Sequence, residues 1–164
     1  YVGIIMSPVA DCNLEDFLDR DPTSAGDCSF LRIFYGCLAA ALRYLHQNCI
    51  RHNDIKPQAR RCSLSNVLVK ANHVYLTDFG VCPDWSELSG STTEGPSSKT
   101  RRYCAPEVAE SHLRSFLANI WSLGCVFLEI WTATCYHSVD ELLMYMTEQG
   151  AGVSCYYANT EAVA

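Results

Sequence analysis

Apolar residues form two long segments and three short runs along the chain, and these patterns predict where the helices and strands lie. In residues 30–47 they recur three and four positions apart, which is the spacing of a helix that buries one face. In residues 117–131 almost every position is apolar, which predicts a helix in the middle of a core. Three short apolar runs, at 2–6, 67–69 and 74–77, predict strands, and the last two are close enough to form a hairpin.

Polar residues add start and stop signals to this pattern. Asn13, followed by a carboxylate three residues later, predicts the start of a short helix. Ser138 and Glu141 have the spacing of a capping box and predict a further helix. Residues 84–99 are rich in Ser, Thr and Gly and predict a loop. The tail from residue 149 onward has no clear period, so no element is predicted there.

The composition is that of one globular domain. Of the 164 residues, 49% are apolar and 18% are charged, which is enough apolar surface for a single core. The net charge of -6 argues against a broad nucleic-acid-binding face, which needs clustered Lys and Arg. No apolar run is expected to reach the length of a membrane span, and no signal-peptide pattern opens the chain. We therefore expect no nucleic-acid partner and no membrane partner.

The chain has ten cysteines but no C-x-x-C pair, so their spacing disfavours a structural zinc site or a redox motif. Several of them, such as Cys37 and Cys125, fall in apolar helical patterns. We expect these thiols to act as small buried side chains in a reducing compartment. We therefore expect the protein to lie inside the cell, in the cytoplasm or the nucleus.

Short motifs follow one another in a specific order. The hexapeptide HNDIKP at 52–57 follows the first long helix, DFG at 78–80 follows the hairpin, and APE at 105–107 closes the polar loop. The tripeptide YLH at 44–46 and the tetrapeptide WSLG at 121–124 flank this series. In this order the motifs resemble those of the protein kinase family, specifically its larger, helical C-terminal lobe, over nearly the whole chain.

The resemblance implies a mainly α fold of the α+β type, in which a helical bundle carries a small hairpin. Residues 1–164 would form part of a protein kinase catalytic domain, with no second domain. The chain has no initiating Met and opens inside the run that resembles the family's hinge strand. We therefore interpret it as a fragment without the N-terminal lobe, and we expect the fragment alone to be inactive.

The resemblance also implies roles for residues that carry charge. Asp54 matches the catalytic aspartate, which orients the acceptor hydroxyl and takes its proton. Lys56 lies two residues further on and, in an extended segment, faces the same side. Thr100 would bridge these two side chains, and both Lys56 and Thr100 are typical of serine/threonine kinases. Asp78 and Asn66 would hold magnesium, a hard cation that prefers oxygen ligands.

Three further residues match the family's nucleotide pocket. Met6 resembles the gatekeeper, Val9 the hinge residue whose backbone meets adenine, and Leu68 the floor under the ring. The implied cofactors are ATP and Mg²⁺, and the implied partner is a protein substrate, with no obligate partner evident. His52 resembles the histidine that packs beneath the turn at 78–80. For all of these positions, ordinary turn formation or core packing is the alternative.

The sequence departs from the family in several places. Eleven residues separate Asp54 from Asn66, where the family has four, and residues 59–65 are the excess. Lengthening a loop costs only about 1 kcal/mol, but an error of about 1 Å at a reacting centre can cost about 100-fold in rate. Asn53 and Asn119 replace an Arg and an Asp of the family. We also expect Glu107 to lack its usual buried Arg partner.

Three interpretations remain open at this point. The chain is part of an active serine/threonine protein kinase, or an inactive kinase-like scaffold, or the product of a truncated or mis-spliced gene model. The last interpretation is the one that we prefer for the insert at 59–65.

Overall fold

The computed structural model describes residues 7–20, 25–52, 54–56, 66–78, 101–110 and 115–163, with the backbone alone at 25–28 and 101. Five helices and three strands form in this part of the chain, together with two 3₁₀ turns. The helices are α1 (Leu14–Leu18), α2 (Ala25–Gln47), α3 (Pro106–Ala109), α4 (Phe116–Thr134) and α5 (Val139–Gln149). The strands are β1 (Cys12–Asn13), β2 (Val67–Lys70) and β3 (His73–Leu76), and the 3₁₀ turns are Arg101–Tyr103 and Tyr156–Ala158.

The three strands form one antiparallel sheet in the order β1-β2-β3. Strands β2 and β3 form the predicted hairpin, and the pairing of Lys70 with His73 leaves a two-residue turn. Strand β1 was not predicted, because two residues are too few to show a period. It pairs Cys12 with Val69, so the hairpin that the sequence predicts is one part of a three-stranded sheet.

Hydrogen bonds connect the segment before α1, residues 9–11, to the β2–β3 hairpin. The Asp11 amide donates to the Val69 carbonyl at 2.9 Å, and the Asp11 carboxylate accepts from the Ala71 amide at 2.8 Å. Lys70 Nζ donates to the Val9 carbonyl at 2.9 Å. Asn13 then caps α1, as predicted, by accepting from the Asp16 amide. The predicted strand at 2–6 lies outside the described residues.

Helices α2 and α4 form as predicted; they pack together and supply most of the core. Phe34 and Leu38 of α2 and Val126 and Ile130 of α4 are fully buried. The buried side chains of Leu14, Val67 and Val69 join the same cluster from α1 and the sheet. Helix α2 begins five residues earlier than its apolar pattern, at Ala25.

Helix α4 was predicted to lie in the middle of the core, but one of its sides is exposed to solvent. Leu117, Ile120 and Trp131 on its outer side are more than half exposed. By length and composition alone this helix would be able to cross a membrane, a criterion that core helices also meet, and 44% of it is buried in the fold. The expectation that no apolar run reaches that length was therefore wrong.

The end of the chain is ordered although its sequence has no period. Helix α5 begins at the predicted capping box, in which Ser138 and Glu141 bond each other's backbone. After it, the Asn159 side chain donates to the carbonyls of Val153 and Cys155 and accepts from the Ala151 amide. Side-chain hydrogen bonds of one residue therefore hold this segment together, which no periodicity predicts.

The cysteines depart from the expectation of burial. The seven in the described part of the chain are free thiols. Cys125 is buried, whereas Cys37 is half-buried and Cys49 and Cys135 are exposed. Glu107, which was expected to lack a buried Arg partner, is half-buried rather than fully buried, so its carboxylate keeps part of its hydration.

Candidate active site

The segment after α2 places Asp54 and Lys56 side by side. A tight turn with positive φ (56°) at Cys49 ends the helix, and the chain then runs without regular structure through residues 54–56. Ile55 between the two is 2% exposed and points into the core. Its neighbours therefore face the same side, and Lys56 Nζ lies 2.8 Å from Asp54 Oδ2. This confirms the relative orientation that the spacing of two residues predicts.

Asn66 joins this pair from the start of β2. Its fully buried side chain donates from Nδ2 to the Asp54 carbonyl at 2.6 Å and to Asp54 Oδ2 at 2.9 Å. The two residues meet although eleven residues separate them in the sequence. The longer connection therefore leaves its ends in contact, as the small entropic cost of a longer loop allows. The extra residues 59–65 themselves lie outside the described residues.

Asp78 stands at the same end of the hairpin, directly after β3. The Thr77 amide donates to the Asn66 carbonyl at 3.0 Å, which holds the two strand ends together. Asp78 itself is exposed and has a φ of 64°. This is the left-handed region, which Asp tolerates better than most residues. The open end of the hairpin thus carries Asn66 on one strand and Asp78 on the other.

The His52 side chain lies near enough to both carboxylates for their charges to affect its pKa. The imidazole is fully buried, and its Nε2 donates at 2.8 Å to the carbonyl of Thr77, the residue before Asp78. Burial lowers the pKa of His52, although Thr77 and the charges of Asp54 and Asp78 act to raise it. The ring is therefore neutral at neutral pH, and both carboxylates act on the same buried imidazole.

Oxygen atoms suited to a hard cation lie at this end of the hairpin. Because Asn66 uses Nδ2 as a donor to Asp54, its Oδ1 is directed elsewhere. That oxygen is buried and accepts no hydrogen bond within the described part of the chain. Amide and carboxylate oxygens are the ligands that magnesium prefers, so Asn66 and Asp78 fit such an ion. Among the described residues, no group of three or more His, Cys, Asp and Glu is placed to hold a metal.

Of the remaining predicted site residues, the structure describes Leu68 and Val9. Leu68 is half-buried on β2, on the face opposite the buried Val67 and Val69. The Val9 side chain is 74% exposed, and its carbonyl accepts from Lys70. Met6 and Thr100 lie outside the described residues, as do Asn53, the loop at 84–99 and the last two residues of the motif at 78–80.

Glu129 of α4 is a carboxylic acid to which the sequence alone assigned no role. Glu129 is 1% exposed in α4, and its Oε1 accepts from the hydroxyls of Tyr103 and Tyr156, both at 2.7 Å. Burial raises the pKa of Glu129 to about 7, although the two hydroxyls act to lower it. A lone carboxylate in an apolar helix is a signal of a buried polar contact, and Glu129 is the single charged residue in the apolar sequence of α4. Nothing in the sequence, however, identified its partners.

Comparison with known proteins agrees with the motifs. The family model described as "Protein kinase domain" matches residues 1–154. The serine/threonine-protein kinase RUNKEL of Arabidopsis thaliana is 38% identical over 97 residues, which are 58% of this chain and 6% of that protein. Cyclin-dependent kinase 4 of Mus musculus is 32% identical over 122 residues, or 74% of this chain and 37% of that protein.

A third relative is the mitogen-activated protein kinase kinase kinase ANP1 of Arabidopsis thaliana. It is 35% identical over 105 residues, which are 63% of this chain and 15% of that protein. The chain thus spans well under half the length of each of these three relatives.

Proposed function

The chain belongs to the protein kinase domain family, and from this premise we propose that it is the C-terminal-lobe part of a serine/threonine protein kinase. The reaction is transfer of the γ-phosphate of ATP to Ser and Thr hydroxyls of proteins. The observation that carries the proposal is the group formed by Asp54, Lys56 and Asn66, joined by contacts of 2.6 to 2.9 Å. One relative is named as a serine/threonine-protein kinase, which supports the choice of acceptor.

Asp54 acts as the base. Its Oδ2 accepts from the Lys56 ammonium and the Asn66 amide, and these two donors fix the plane of the carboxylate. The Asp54 side chain is 25% exposed, so a substrate hydroxyl can reach it from solvent. A carboxylate held in this way orients the hydroxyl and takes its proton as the phosphoryl group is transferred.

Lys56 supplies positive charge at the same place. Its side chain is 5% exposed, so water screens its charge less than it would at the surface. The transferred phosphoryl group spreads negative charge over its oxygens, and a nearby ammonium stabilises that charge. Thr100 is proposed to bridge Asp54 and Lys56.

Asn66 and Asp78 are proposed to hold Mg²⁺ through Oδ1 and the carboxylate. The ion neutralises the charge of the nucleotide phosphates when it is bound. Met6, Val9 and Leu68 are proposed to surround the adenine ring. His52 supports this end of the site by holding the Thr77 carbonyl, so that Asp78, the next residue, keeps its place.

The test is substitution of Asp54 in the full-length protein that supplies both kinase lobes. Asp54→Asn keeps the shape of the side chain and removes its basicity, and kcat should fall about 100-fold or more. Glu148→Gln, which removes a negative charge from an exposed position of α5, should leave kcat unchanged. Full activity of Asp54→Asn would refute the assignment.

An inactive kinase-like scaffold is the competing function, and it makes a different prediction. It predicts no phosphoryl transfer by the unaltered protein and no magnesium-dependent rise in Tm with ATP. The proposed kinase predicts both, and it predicts that Asp78→Asn removes the magnesium dependence of the Tm shift.

A further inference from the structure

Glu129 joins two segments that are far apart in the chain. Tyr103 belongs to the 3₁₀ turn just before α3, and Tyr156 belongs to the 3₁₀ turn near the end of the chain. Their hydroxyls donate to the same oxygen of Glu129. All three side chains are at least 97% buried, and the two rings contact each other with centroids 5.6 Å apart. We call these three residues the Glu129 cluster.

Tyr156 lies beyond the part of the chain that the family match explains. That match ends at residue 154, whereas the ring of Tyr156 packs with Tyr103, Cys125 and Met146 in a second small core. The turn at Tyr156–Ala158 also contacts the turn at Arg101–Tyr103 and helix α3. The end of the chain therefore touches the segment that carries the motif at 105–107.

Residues 150–159, the segment that contains Tyr156, are held together by hydrogen bonds within the segment. Asn159 is 1% exposed and makes three hydrogen bonds, to Ala151, Val153 and Cys155. Gly150 lies so close to the Asn159 amide that a β-carbon there would overlap with it. The position of Tyr156 is thus determined by its own segment as well as by Glu129.

The backbone near Tyr103 is held at two points. Ser122 Oγ of α4 donates to the Tyr103 carbonyl at 2.9 Å, and the Tyr103 hydroxyl is held by Glu129. Ala105, two residues later, is 1% exposed and precedes α3. Any shift of the Tyr103 ring therefore moves the chain that leads into the motif at 105–107.

We propose that Tyr156 is a positioning residue for the protein substrate: through Glu129 it holds Tyr103 and the backbone of residues 101–105 against α4. The proposal rests on the proposed kinase function, in which the tetrapeptide TRRY, just before the motif at 105–107, matches the family's substrate-docking loop. Tyr156 does not touch the reacting atoms. Its effect is on the surface that receives the protein, and not on phosphoryl transfer at Asp54.

The test compares Tyr156→Phe with Tyr157→Phe in the full-length protein. The first variant keeps the ring and removes the hydroxyl that binds Glu129, whereas the second removes the hydroxyl of the half-buried neighbouring residue. Tyr156→Phe should raise KM for the protein substrate by about threefold to tenfold, because residues 101–105 are held less firmly when one hydrogen bond of the cluster is lost. The KM for ATP and kcat should stay within about twofold, and Tyr157→Phe should change none of these constants.

Amide hydrogen exchange gives a second readout that does not require activity. Tyr156→Phe should speed exchange in residues 101–105, because Glu129, which holds the Tyr103 hydroxyl, loses its second donor and is itself held less firmly. Glu129→Gln keeps an oxygen that accepts both hydroxyls and should retain most of the protection. If the unaltered protein has no kinase activity, the proposed function fails while the exchange result still decides the link between Tyr156 and Tyr103.

Two results would overturn the proposal. One is an unchanged KM for the protein substrate, or unchanged exchange at residues 101–105, in Tyr156→Phe. The other is faster exchange throughout the chain, which would make Tyr156 a residue of general stability and not of positioning.

Discussion

The protein holds two carboxylates in similar ways but in opposite surroundings. Asp54 Oδ2 accepts from Lys56 and Asn66 at the open end of the hairpin, and Glu129 Oε1 accepts from two tyrosines inside the fold. The Asp54 side chain is 25% exposed, whereas Glu129 is 1% exposed. The first carboxylate is open to solvent and has a cationic donor, and the second is enclosed and has neutral donors.

The difference shows that hydrogen bonding alone does not identify a reactive carboxylate. Burial is the largest influence on Glu129 and raises its pKa to about 7, because a charge loses its hydration inside a protein. A strongly shifted pKa is often a sign of a functional site. Here the group with the shifted pKa lies in a structural cluster, and the group with access to solvent lies in the candidate active site.

Removing Lys56, the cationic donor to Asp54, should have the largest effect among the tests that compare Asp54 with Glu129. Lys56→Met should lower kcat of the full-length protein by about 100-fold, since it removes preorganised positive charge from the site. Arg43→Gln removes a cation from the exposed side of α2 and should have no effect. An unchanged kcat in Lys56→Met would remove the functional distinction between the two carboxylates.

The second test uses the pH dependence of stability. Because the pKa of Glu129 is raised from 4.5 to about 7 in the folded state, the folded protein keeps a proton that the unfolded chain has released within that range. The stabilisation is therefore complete below pH 4.5 and is lost as pH rises towards 7, by on the order of 3 kcal/mol.

Urea denaturation at several pH values measures this loss. Glu129→Gln, which does not titrate, should flatten the fall in the free energy of unfolding between pH 4.5 and 7. An equally steep fall in the variant would mean that other groups cause the dependence.

A third test concerns the segment that carries Tyr156. In Gly150→Ala the new β-carbon would overlap with the Asn159 side chain and approach the Met146 carbonyl to 2.5 Å. We expect a loss of about 2 kcal/mol, measured as a lower Tm. Gly124→Ala is the matched control, because its β-carbon meets no atom within 4 Å on the exposed side of α4, and there we expect a gain of about 0.5 to 1 kcal/mol.

The smallest expected effect is at the far end of the hairpin. Ala71 has a φ of 48°, a conformation that glycine adopts without steric cost. Ala71→Gly should therefore raise the free energy of unfolding by about 0.5 to 1 kcal/mol. Ala39→Gly, at an exposed position inside α2, should lower it by about 1 kcal/mol, so the two substitutions should have opposite signs.

Much of the fold was predictable because the responsible signals are local. Helices α2, α4 and α5 and the β2–β3 hairpin follow from spacing and caps that lie within each element. The orientation of Asp54 and Lys56 follows from a separation of two residues. Strand β1 was missed because it is only two residues long, and the outer side of α4 was misjudged because apolar spacing does not report which neighbours cover a helix.

The candidate site was predictable to the extent that its motifs are contiguous. Asp54, Asn66 and Asp78 were identified from short motifs, but the contact between Asp54 and Asn66 across eleven residues was uncertain. The fold resolves that contact because β2 and the segment after α2 pack on the same core, so the length of the connection between them matters little. The partners of Glu129 had no local signal at all.

The amino-acid sequence by itself determined which residues carry charge, which segments form helices and strands, and which family the chain resembles. These properties depend on neighbours within a few positions. Only the tertiary structure decided that Asp54 stays accessible while Glu129 is enclosed by Tyr103 and Tyr156. The reason is that burial and long-range hydrogen bonds depend on which elements meet in space, and residues that lie 26 or 27 positions from their partner leave no periodic trace in the chain.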